Sequence, residues 1–202
     1  LRAARVPVAA PSANRSTTLS PTTAEHVLKT LDGAVDVVLD AGPTGFGIES
    51  TIVDVTRTPM RLLRHGAIAL AEIARFGEVI DATVEVVDTG ARADAPGMHA
   101  KHYAPRAQAV LVAAEEVAAE VAARRAAGQR VGVIESEPRT VADVVEGLRE
   151  VLAADPESYA RDLYAALHRL DDAACDAIVI ARVPDDGAWA AVRDRLRRAT
   201  AD

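Results

Sequence analysis

The sequence lacks the features that would place it among membrane, disulfide-stapled or cysteine-ligated metal proteins. One cysteine, Cys175, among 202 residues excludes an internal disulfide and a metal site built from several cysteines. No apolar run approaches the roughly 20 residues that cross a bilayer, and no signal-peptide pattern is present. Aromatic residues make up only 3% of the chain although half of it is hydrophobic, so the core must consist of Ala, Val, Leu and Ile. We therefore expect a soluble, cytoplasmic protein that makes no membrane contact.

The charge balance is acidic. The chain carries 23 Lys and Arg against 30 Asp and Glu, which gives a formal net charge of −7 at pH 7. This balance argues against duplex nucleic-acid binding by bulk electrostatics. The one basic cluster is Arg-Asp-Arg-Leu-Arg-Arg at residues 193–198, which is more typical of one helix than of a nucleic-acid footprint.

A polar loop near the start of the chain is the first candidate site. An apolar run at residues 6–10 predicts a buried strand, residues 11–18 are rich in hydroxyls, and apolar residues recur at helical spacing over 24–31. Ser20 and Pro21 stand where an N-cap and a first helical residue belong. The unpaired N–H groups of a helix N-terminus favour an anion. A phosphate- or carboxylate-binding turn and an ordinary capped connection are equally favoured by this pattern.

The remaining pattern predicts two domains and a linker. Residues 1–87 contain short apolar runs at 35–40, 50–55, 60–63 and 79–87, with a helical period over 69–76, which favours a mixed α+β sheet. Residues 88–106 are rich in glycine and proline and are long for a connection, so they predict a functional linker. Residues 107–202 alternate strands at 109–113, 130–136 and 176–183 with helices at 115–127, 140–154, 158–171 and 187–199. This alternation predicts a small parallel Rossmann-like α/β domain, without the glycine motif of dinucleotide binding.

Five motifs occur in a fixed order along the chain. They are Pro-Ser-Ala-Asn at 11–14, Ser-Pro-Thr-Thr-Ala at 20–24, Gly-Ile-Glu-Ser-Thr-Ile-Val-Asp at 47–54, Leu-Arg-x-Gly at 63–66 and Pro-Gly-Met-x-x-Lys-His-Tyr-Ala-Pro at 96–105. The series resembles the threonylcarbamoyl-AMP synthases of the two-domain type, in which a YrdC-like catalytic domain precedes a Rossmann-like domain. Residues 160–171 and 194–199 are similar to the second domain of that family. The resemblance covers nearly the whole chain.

The resemblance implies a nucleotidyltransferase that forms threonylcarbamoyl-adenylate and pyrophosphate from L-threonine, bicarbonate and ATP, with Mg²⁺ accompanying the ATP. A downstream threonylcarbamoyl transferase machinery would then modify tRNA. By the same resemblance, ATP is bound by Ser12, Asn14, Ser20, Arg64 and Tyr103, and threonine by Ser50 and the Ala10 backbone. Tyr103, in the linker, would close over the site. The resemblance assigns no protein ligand to a metal, and such chemistry needs positioning and charge stabilisation more than covalent help.

The chain also departs from the family. His65 stands where the family usually has proline. About 100 or more residues precede this point in the family, and they carry a Thr-x-Tyr-Gly-Leu stretch and a Lys-x-Arg pair that engage the substrates. Neither motif occurs here. We therefore expect the 202-residue chain to be inactive by itself and to expose apolar sheet surface.

Several residues and functions stay open from the sequence. Lys101 and His102 fit a phosphate ligand and a proton shuttle, or a solvated loop. Glu49 fits a general base, but a carboxylate paired with a backbone group or a basic neighbour is favoured. Three other functions remain: an RNA-binding YrdC-like module without catalysis, a carbamoyl transferase of the hydrogenase-maturation type, and a nucleotide-binding regulatory remnant. The Rossmann-like second domain disfavours the carbamoyl transferase.

Overall fold

The computed structural model describes residues 2–83, 102–136 and 148–201 and contains two β-sheets. In chain order the elements are α1 (Ala24–Leu31), β1 (Ile52–Asp54), β2 (Met60–Arg64), α2 (Leu70–Ile73), β3 (Val79–Asp81), β4 (Gln108–Val112), α3 (Val117–Ala126), β5 (Val131–Ser136), β6 (Arg149–Leu152), α4 (Pro156–Asp172), β7 (Ala177–Ala181) and α5 (Ala190–Ala199). Among these described helices, none is long and apolar enough to span a membrane.

The first sheet is small and mixed, as the sequence predicts. Its strand order is β1-β2-β3, with β1 antiparallel to β2 and β2 parallel to β3. The register places Ile52 opposite Arg64 and shifts between Ile52 and Val53. β2 is the central strand of this sheet, and its residues Leu62 and Leu63 are buried.

The second sheet is entirely parallel, which confirms the Rossmann-like prediction. Its four strands have the order β4-β7-β5-β6. The central strand β7 reads Ala-Ile-Val-Ile-Ala, and every one of its residues is buried. A strand covered by helices on both faces needs such an uninterrupted apolar run.

The two faces of the parallel sheet have separate cores. On one face, α3 packs on odd-numbered strand residues such as Val133 and Val179. On the other face, α4 and α5 pack on Ile134, Ile178 and Ile180. Successive strand residues point to opposite faces, so one alternating sequence supplies both cores. The α4/α5 core also takes in residues from the preceding part of the chain, which joins the two sheets' domains.

Two predicted strands are wrong. Residues 6–10 and 35–40 belong to no sheet in the described part of the chain. Val8 is 54% exposed and Leu39 is 91% exposed. Apolar residues favour a strand only where a partner supplies hydrogen bonds and a covering layer, and these segments have neither among the described residues. Because both segments lie outside the sheets, the expected exposure of apolar sheet surface stays a prediction.

Two helix predictions also need correction. The N-cap of α1 is Thr23, whose Oγ1 accepts a hydrogen bond from the His26 amide at 3.4 Å, and not Ser20. The predicted helix over 140–154 is wrong in its described part, because residues 149–152 form β6. Pairing of β6 with β5 overrides the helical propensity of this segment. The predicted domain limits remain predictions, because residues 84–101 lie outside the described part of the chain.

Candidate functional site

Ser50 and Arg64, to which the family resemblance assigns different substrates, are in direct contact. Arg64 ends β2, and its Nε donates a hydrogen bond to the Ser50 carbonyl oxygen at 2.9 Å. Its Nη2 donates to the Ser50 hydroxyl at 3.3 Å. The β1–β2 register produces this contact, because it sets Ile52 beside Arg64. The arrangement places the hydroxyl of the exposed Ser50 beside the guanidinium of Arg64, a residue that is only 9% exposed.

The glycine of the Leu-Arg-x-Gly motif is explained by a close backbone approach. A Cβ at Gly66 would lie 2.2 Å from the Thr51 backbone nitrogen, nearer than any real contact allows. Only glycine lets the chain after Arg64 pass this close to the residue after Ser50. The motif therefore keeps the Ser50 and Arg64 segments together.

Glu49 is an ionised hydrogen-bond acceptor rather than a base. Its carboxylate accepts from the Ser20 hydroxyl at 2.5 Å, from the Arg195 Nε at 2.8 Å and from the Tyr164 hydroxyl at 3.1 Å. Burial raises the pKa of Glu49, but the charge of Arg195 and the hydrogen bonds from Ser20 and Arg195 outweigh it and hold the pKa below its usual value. Pairing with a basic neighbour, the favoured interpretation, is confirmed.

Arg195 is the residue that sequence reasoning missed. It lies on α5 and is completely buried. It pairs with Glu49 of the first domain, which stands 146 residues earlier in the chain. Its Nη2 donates to the His65 carbonyl oxygen at 2.9 Å, and its guanidinium carbon lies 5.1 Å from the centre of the Tyr103 ring. The latter distance suits a cation–π contact. One signal existed: an arginine falls on the apolar face of the helix, next to Leu196 and three residues after Val192.

Tyr103 lies in the same network and is 1% exposed. Its backbone φ of 59° is in the left-handed region, which a bulky side chain adopts only when its surroundings impose it. Burial raises the pKa of Tyr103, and the charges of Arg195 and Arg64 oppose this shift without reversing it. The hydroxyl is therefore neutral at pH 7. Tyr103 stacks on Tyr164 of α4 with 5.8 Å between ring centres, and it lies in the same buried cluster as Leu19 of the first domain.

The polar loop is braced from within and by the end of the predicted linker. The Asn14 side-chain amide donates to the Thr18 carbonyl oxygen at 3.0 Å. The Ala104 amide donates to the Thr17 carbonyl oxygen at 3.1 Å, and Thr18 forms a parallel bridge with Ala104. The loop thus lies beside the residue that follows Tyr103, and Asn14 fixes its shape.

The other predicted site residues are placed less closely. Ser12 and Ala10 are exposed, and Ser12 accepts a 3.0 Å hydrogen bond from the Asn14 amide through its backbone oxygen. Ser20 is buried, and its hydroxyl proton is directed at Glu49. The structure therefore brings Ser20, Ser50, Arg64 and Tyr103 into one network, with the Asn14 loop at its edge. Their substrate roles remain predictions.

His65 and His102, whose roles the sequence leaves open, contact other residues of the protein. His65 lies 2.8 Å from an Asp81 carboxylate oxygen, so the residue at the proline position bridges β2 to β3. The His102 amide donates to the Arg198 carbonyl oxygen at 3.3 Å, and its ring packs edge-on against Tyr103. Lys101 lies outside the described residues. In the described ranges, no group of three or more His, Cys, Asp or Glu side chains is placed to hold a metal ion.

Together these elements define a two-domain α/β protein in which a mixed sheet carries Ser50 and Arg64, and the C-terminal helix of a parallel domain closes the back of the site. Comparison with known proteins makes this class specific. A family model described as the C-terminal domain of threonylcarbamoyl-AMP synthase matches residues 68–201. A second model, described as telomere recombination, matches residues 1–66. The chain therefore belongs to the threonylcarbamoyl-AMP synthase family, in its two-domain form.

Relatives and solved structures agree with this family. The threonylcarbamoyl-AMP synthase of Pyrococcus abyssi is 37% identical and covers 96% of this chain, and that of Bacillus subtilis is 35% identical and covers 98%. The chain spans 58% of the length of each of these relatives. The crystal structure of the Pyrococcus abyssi protein with L-threonine superposes with a TM-score of 0.81 at 34% identity, over 94% of this chain and 56% of that one.

A second structure of the same Pyrococcus abyssi protein carries consecutive His-to-Ala and Tyr-to-Ala substitutions. It superposes with a TM-score of 0.80 at 33% identity, over 94% of this chain and 56% of that one. Both structures share the mixed and parallel sheets described above, so the α/β fold class predicted from the sequence is confirmed.

Proposed function

We propose that this chain is a part of a threonylcarbamoyl-AMP synthase and contributes contacts to both threonine and the nucleotide. The observation that carries the proposal is the contact between the Ser50 hydroxyl and the Arg64 guanidinium. The reaction needs a threonine-binding group and a phosphate-binding group side by side, because the carbamate made from threonine must reach the α-phosphate of ATP. The threonine bound in the Pyrococcus abyssi structure supports the same amino-acid substrate.

The proposed reaction is an adenylyl transfer, which makes the enzyme a nucleotidyltransferase. Threonine nitrogen and bicarbonate form a carbamate with loss of water, and a carbamate oxygen attacks the α-phosphorus. The bond from that phosphorus to the β-phosphate oxygen breaks, and pyrophosphate leaves. Ser50 orients threonine, with the Ala10 backbone nearby, and Arg64 binds phosphate oxygens through its planar charged fork. Mg²⁺ would neutralise phosphate charge, with phosphate oxygens and water as its expected ligands.

The remaining predicted residues surround the nucleotide in this proposal. Ser12 and Ser20 contact it from the polar loop, and Asn14 keeps that loop in shape. Tyr103 covers the site and excludes the water that would hydrolyse a labile carbamate or adenylate. This chain contains one consecutive His-Tyr pair, His102 and Tyr103. A His-Tyr pair was also substituted in the Pyrococcus abyssi relative, which supports testing His102 and Tyr103 in this chain.

The proposed product would pass to a threonylcarbamoyl transferase machinery that modifies tRNA. Binding of tRNA by this chain itself is the alternative function, and the geometry disfavours it. Arg195 and Arg198 are buried, and Arg197 pairs with Asp194 at 2.9 Å. Most of the basic C-terminal run is therefore committed inside the protein. A gel shift with tRNA that weakens steeply between 50 and 200 mM salt, by about 10³-fold or more, would favour the alternative.

Calorimetry of ATP binding with and without threonine tests the proposal. We propose that the 202-residue chain binds weakly and does not turn over, because it spans 58% of the relatives' length. A chain extended to the relatives' length should bind both substrates and release pyrophosphate when bicarbonate is present. Full turnover by the 202-residue chain contradicts the first statement, and absence of ATP binding by both chains contradicts the second.

Two arginines of the same strand supply a matched pair of variants. Arg64→Lys keeps the charge but removes the fork, so ATP affinity of the extended chain should fall by about tenfold or more. Arg61→Lys changes an arginine three residues earlier on β2, near Asp54. Equal effects of both substitutions on ATP affinity would remove Arg64 from the proposed site.

A further inference from the structure

We infer that Arg195 is a positioning residue that fixes the segments carrying Ser50, Arg64 and Tyr103 relative to one another. The substrate roles of those segments rest on the proposed function, whereas the contacts that define the inference do not. Through Arg195, helix α5 of the second domain sets the geometry of a site built on the first.

The first step of the argument is which residues Arg195 touches. Its Nε donates to the Glu49 carboxylate at 2.8 Å and its Nη2 to the Glu49 carbonyl oxygen at 3.4 Å. Glu49 immediately precedes Ser50. The same Nη2 donates to the carbonyl oxygen of His65 at 2.9 Å, and His65 immediately follows Arg64. One side chain therefore joins the two backbone segments that flank the Ser50–Arg64 contact.

The third segment is held by the ring of Tyr103. The guanidinium carbon lies 5.1 Å from the ring centre, within the range of a cation–π contact. Tyr103 is the residue proposed to cover the site, so the arginine lies between the cover and the two segments beneath it. These contacts come from three directions, and only the planar fork of an arginine meets all of them at once.

Burial makes this arrangement rigid. The Arg195 side chain is fully buried, and the Glu49 and Asp194 carboxylates offset its charge. A buried ion that loses a partner or a hydrogen bond is strongly disfavoured, so the network has few alternative arrangements. Ser20 and Tyr164 also donate to Glu49 and hold its carboxylate in place. The network therefore transmits the position of α5 to the Glu49–Ser50 segment.

Arg198 on the same helix supplies a matched control. It is also buried, and it pairs with the same Asp194. Its Nη2 donates to the Thr83 carbonyl oxygen at 3.1 Å, at the end of the first sheet rather than at the candidate site. Arg198→Lys thus disturbs a buried interdomain arginine whose contacts given above, to Asp194 and Thr83, lie outside the Ser50 and Arg64 segments.

Hydrogen exchange of the full 202-residue chain tests the inference. Arg195→Lys should raise amide exchange in peptides spanning 47–52 and 64–67 by roughly tenfold, with α4 and β7 unchanged. Arg198→Lys should leave both peptides as in the unsubstituted chain. Unchanged exchange in these peptides for Arg195→Lys overturns the inference. A uniform rise across the chain for both variants also overturns it, because it indicates loss of global stability alone.

A second variant keeps the test decisive if Arg195→Lys fails to fold. Glu49→Gln preserves the shape of the side chain and removes its charge, so it should raise exchange in the same two peptides. Unchanged exchange in both peptides for Glu49→Gln overturns the inference. Where Arg195→Lys does fold, the two substitutions combined should have less than the product of their separate effects, because both disrupt one interaction, and independent effects overturn the inference.

Substrate binding separates this inference from the proposed function. In a chain extended to the relatives' length, Arg195→Lys should weaken threonine affinity by about tenfold, since Ser50 loses its fixed position. Arg198→Lys should not change that affinity. If the extended chain binds neither threonine nor ATP while the exchange effects persist, the proposed function fails and the positioning role of Arg195 stands.

Discussion

The ring of His168 donates a hydrogen bond from Nε2 to the carbonyl oxygen of Ser20 at 3.1 Å, across 148 residues of chain. The two rings of His168 and His26 are stacked with 3.8 Å between their centres. This contact ties α4 of the second domain to the polar loop of the first. It also holds a buried histidine in its neutral form.

The His168 contact predicts that stability falls in mild acid. Burial, together with the charges of His26 and Lys29, lowers the pKa of His168 from 6.5 to about 4, while the Ser20 hydrogen bond and Asp171 oppose the shift. Between pH 6.5 and 4 the unfolded chain therefore binds more protons than the folded chain, so the free energy of unfolding decreases as pH falls. Thermal melts at pH 7.5 and 5.5 should show a lower melting temperature at pH 5.5.

His168→Gln is the variant that isolates this effect. Its amide retains a donor for the Ser20 carbonyl oxygen but has no proton to gain, so the difference in melting temperature between pH 7.5 and 5.5 should shrink. His26, whose pKa burial also lowers, accounts for part of the slope that remains. An unchanged pH dependence in His168→Gln would show that His168 does not control acid stability.

The close approach at Gly66 predicts a large loss of stability for Gly66→Ala. The added Cβ would lie 2.2 Å from the Thr51 nitrogen and 2.5 Å from the Ser50 carbonyl carbon, and backbone atoms cannot move aside cheaply. We expect a cost of about 3 kcal/mol or more, measured by urea unfolding. Gly45→Ala is the control, because a Cβ there meets nothing within 4 Å. Similar urea midpoints for Gly66→Ala and Gly45→Ala would show that Gly66 does not lie this close to the backbone of residues 50–51.

Gly47 predicts a packing cost between the domains that can be separated from backbone strain. Both Gly47 and Gly42 have positive φ values, of 73° and 85°. A Cβ at Gly47 would lie 2.1 Å from the Arg161 carbonyl oxygen of α4, whereas one at Gly42 meets nothing within 4 Å. Gly42→Ala should therefore cost about 1 kcal/mol for strain alone, and Gly47→Ala clearly more. Equal unfolding free energies of the two variants would show that the helix does not approach Gly47 so closely.

The Glu135–Arg149 ion pair predicts that the stability of β6 depends on pairing the buried Glu135 carboxylate. Glu135 is 2% exposed and Arg149 pairs with it from the neighbouring strand. Arg149→Met leaves a buried carboxylate without this partner, so we expect a loss of about 2–4 kcal/mol in urea unfolding. Arg169→Met, which breaks the exposed pair with Glu150, should cost about 0–1 kcal/mol. Equal costs would place Glu135 in contact with solvent.

The sequence predicts the elements whose signal is local and continuous. The uninterrupted apolar run of β7 and the helical period of α4 mark the parallel domain because each element carries its pattern within itself. The segments at 6–10 and 35–40 show the limit of that rule. Their apolar residues favour strands, but strand formation requires a partner elsewhere in the chain, and propensity does not report one.

The candidate site is predictable only in part for the same reason. Motif resemblance points to Ser50, Arg64 and Tyr103, and the fold brings them together. Glu49 and Arg195 are 146 residues apart, and the sequence around either residue does not indicate the other as its partner. Pairings of this kind follow from the docking of two domains. Only the presence of arginine on the buried face of α5 indicates that a buried partner exists.

The two separate cores of the parallel sheet have a consequence for sequence drift. Among the described residues, the α3 face is built from the second domain alone, whereas the α4/α5 face includes Leu19 and Tyr103 of the preceding chain. Substitutions on the α3 face can be compensated by neighbours within one domain. Substitutions on the other face must also preserve the fit to the first domain. We therefore expect related sequences to differ more around α3. On the α4/α5 face, residues of the two domains should change together.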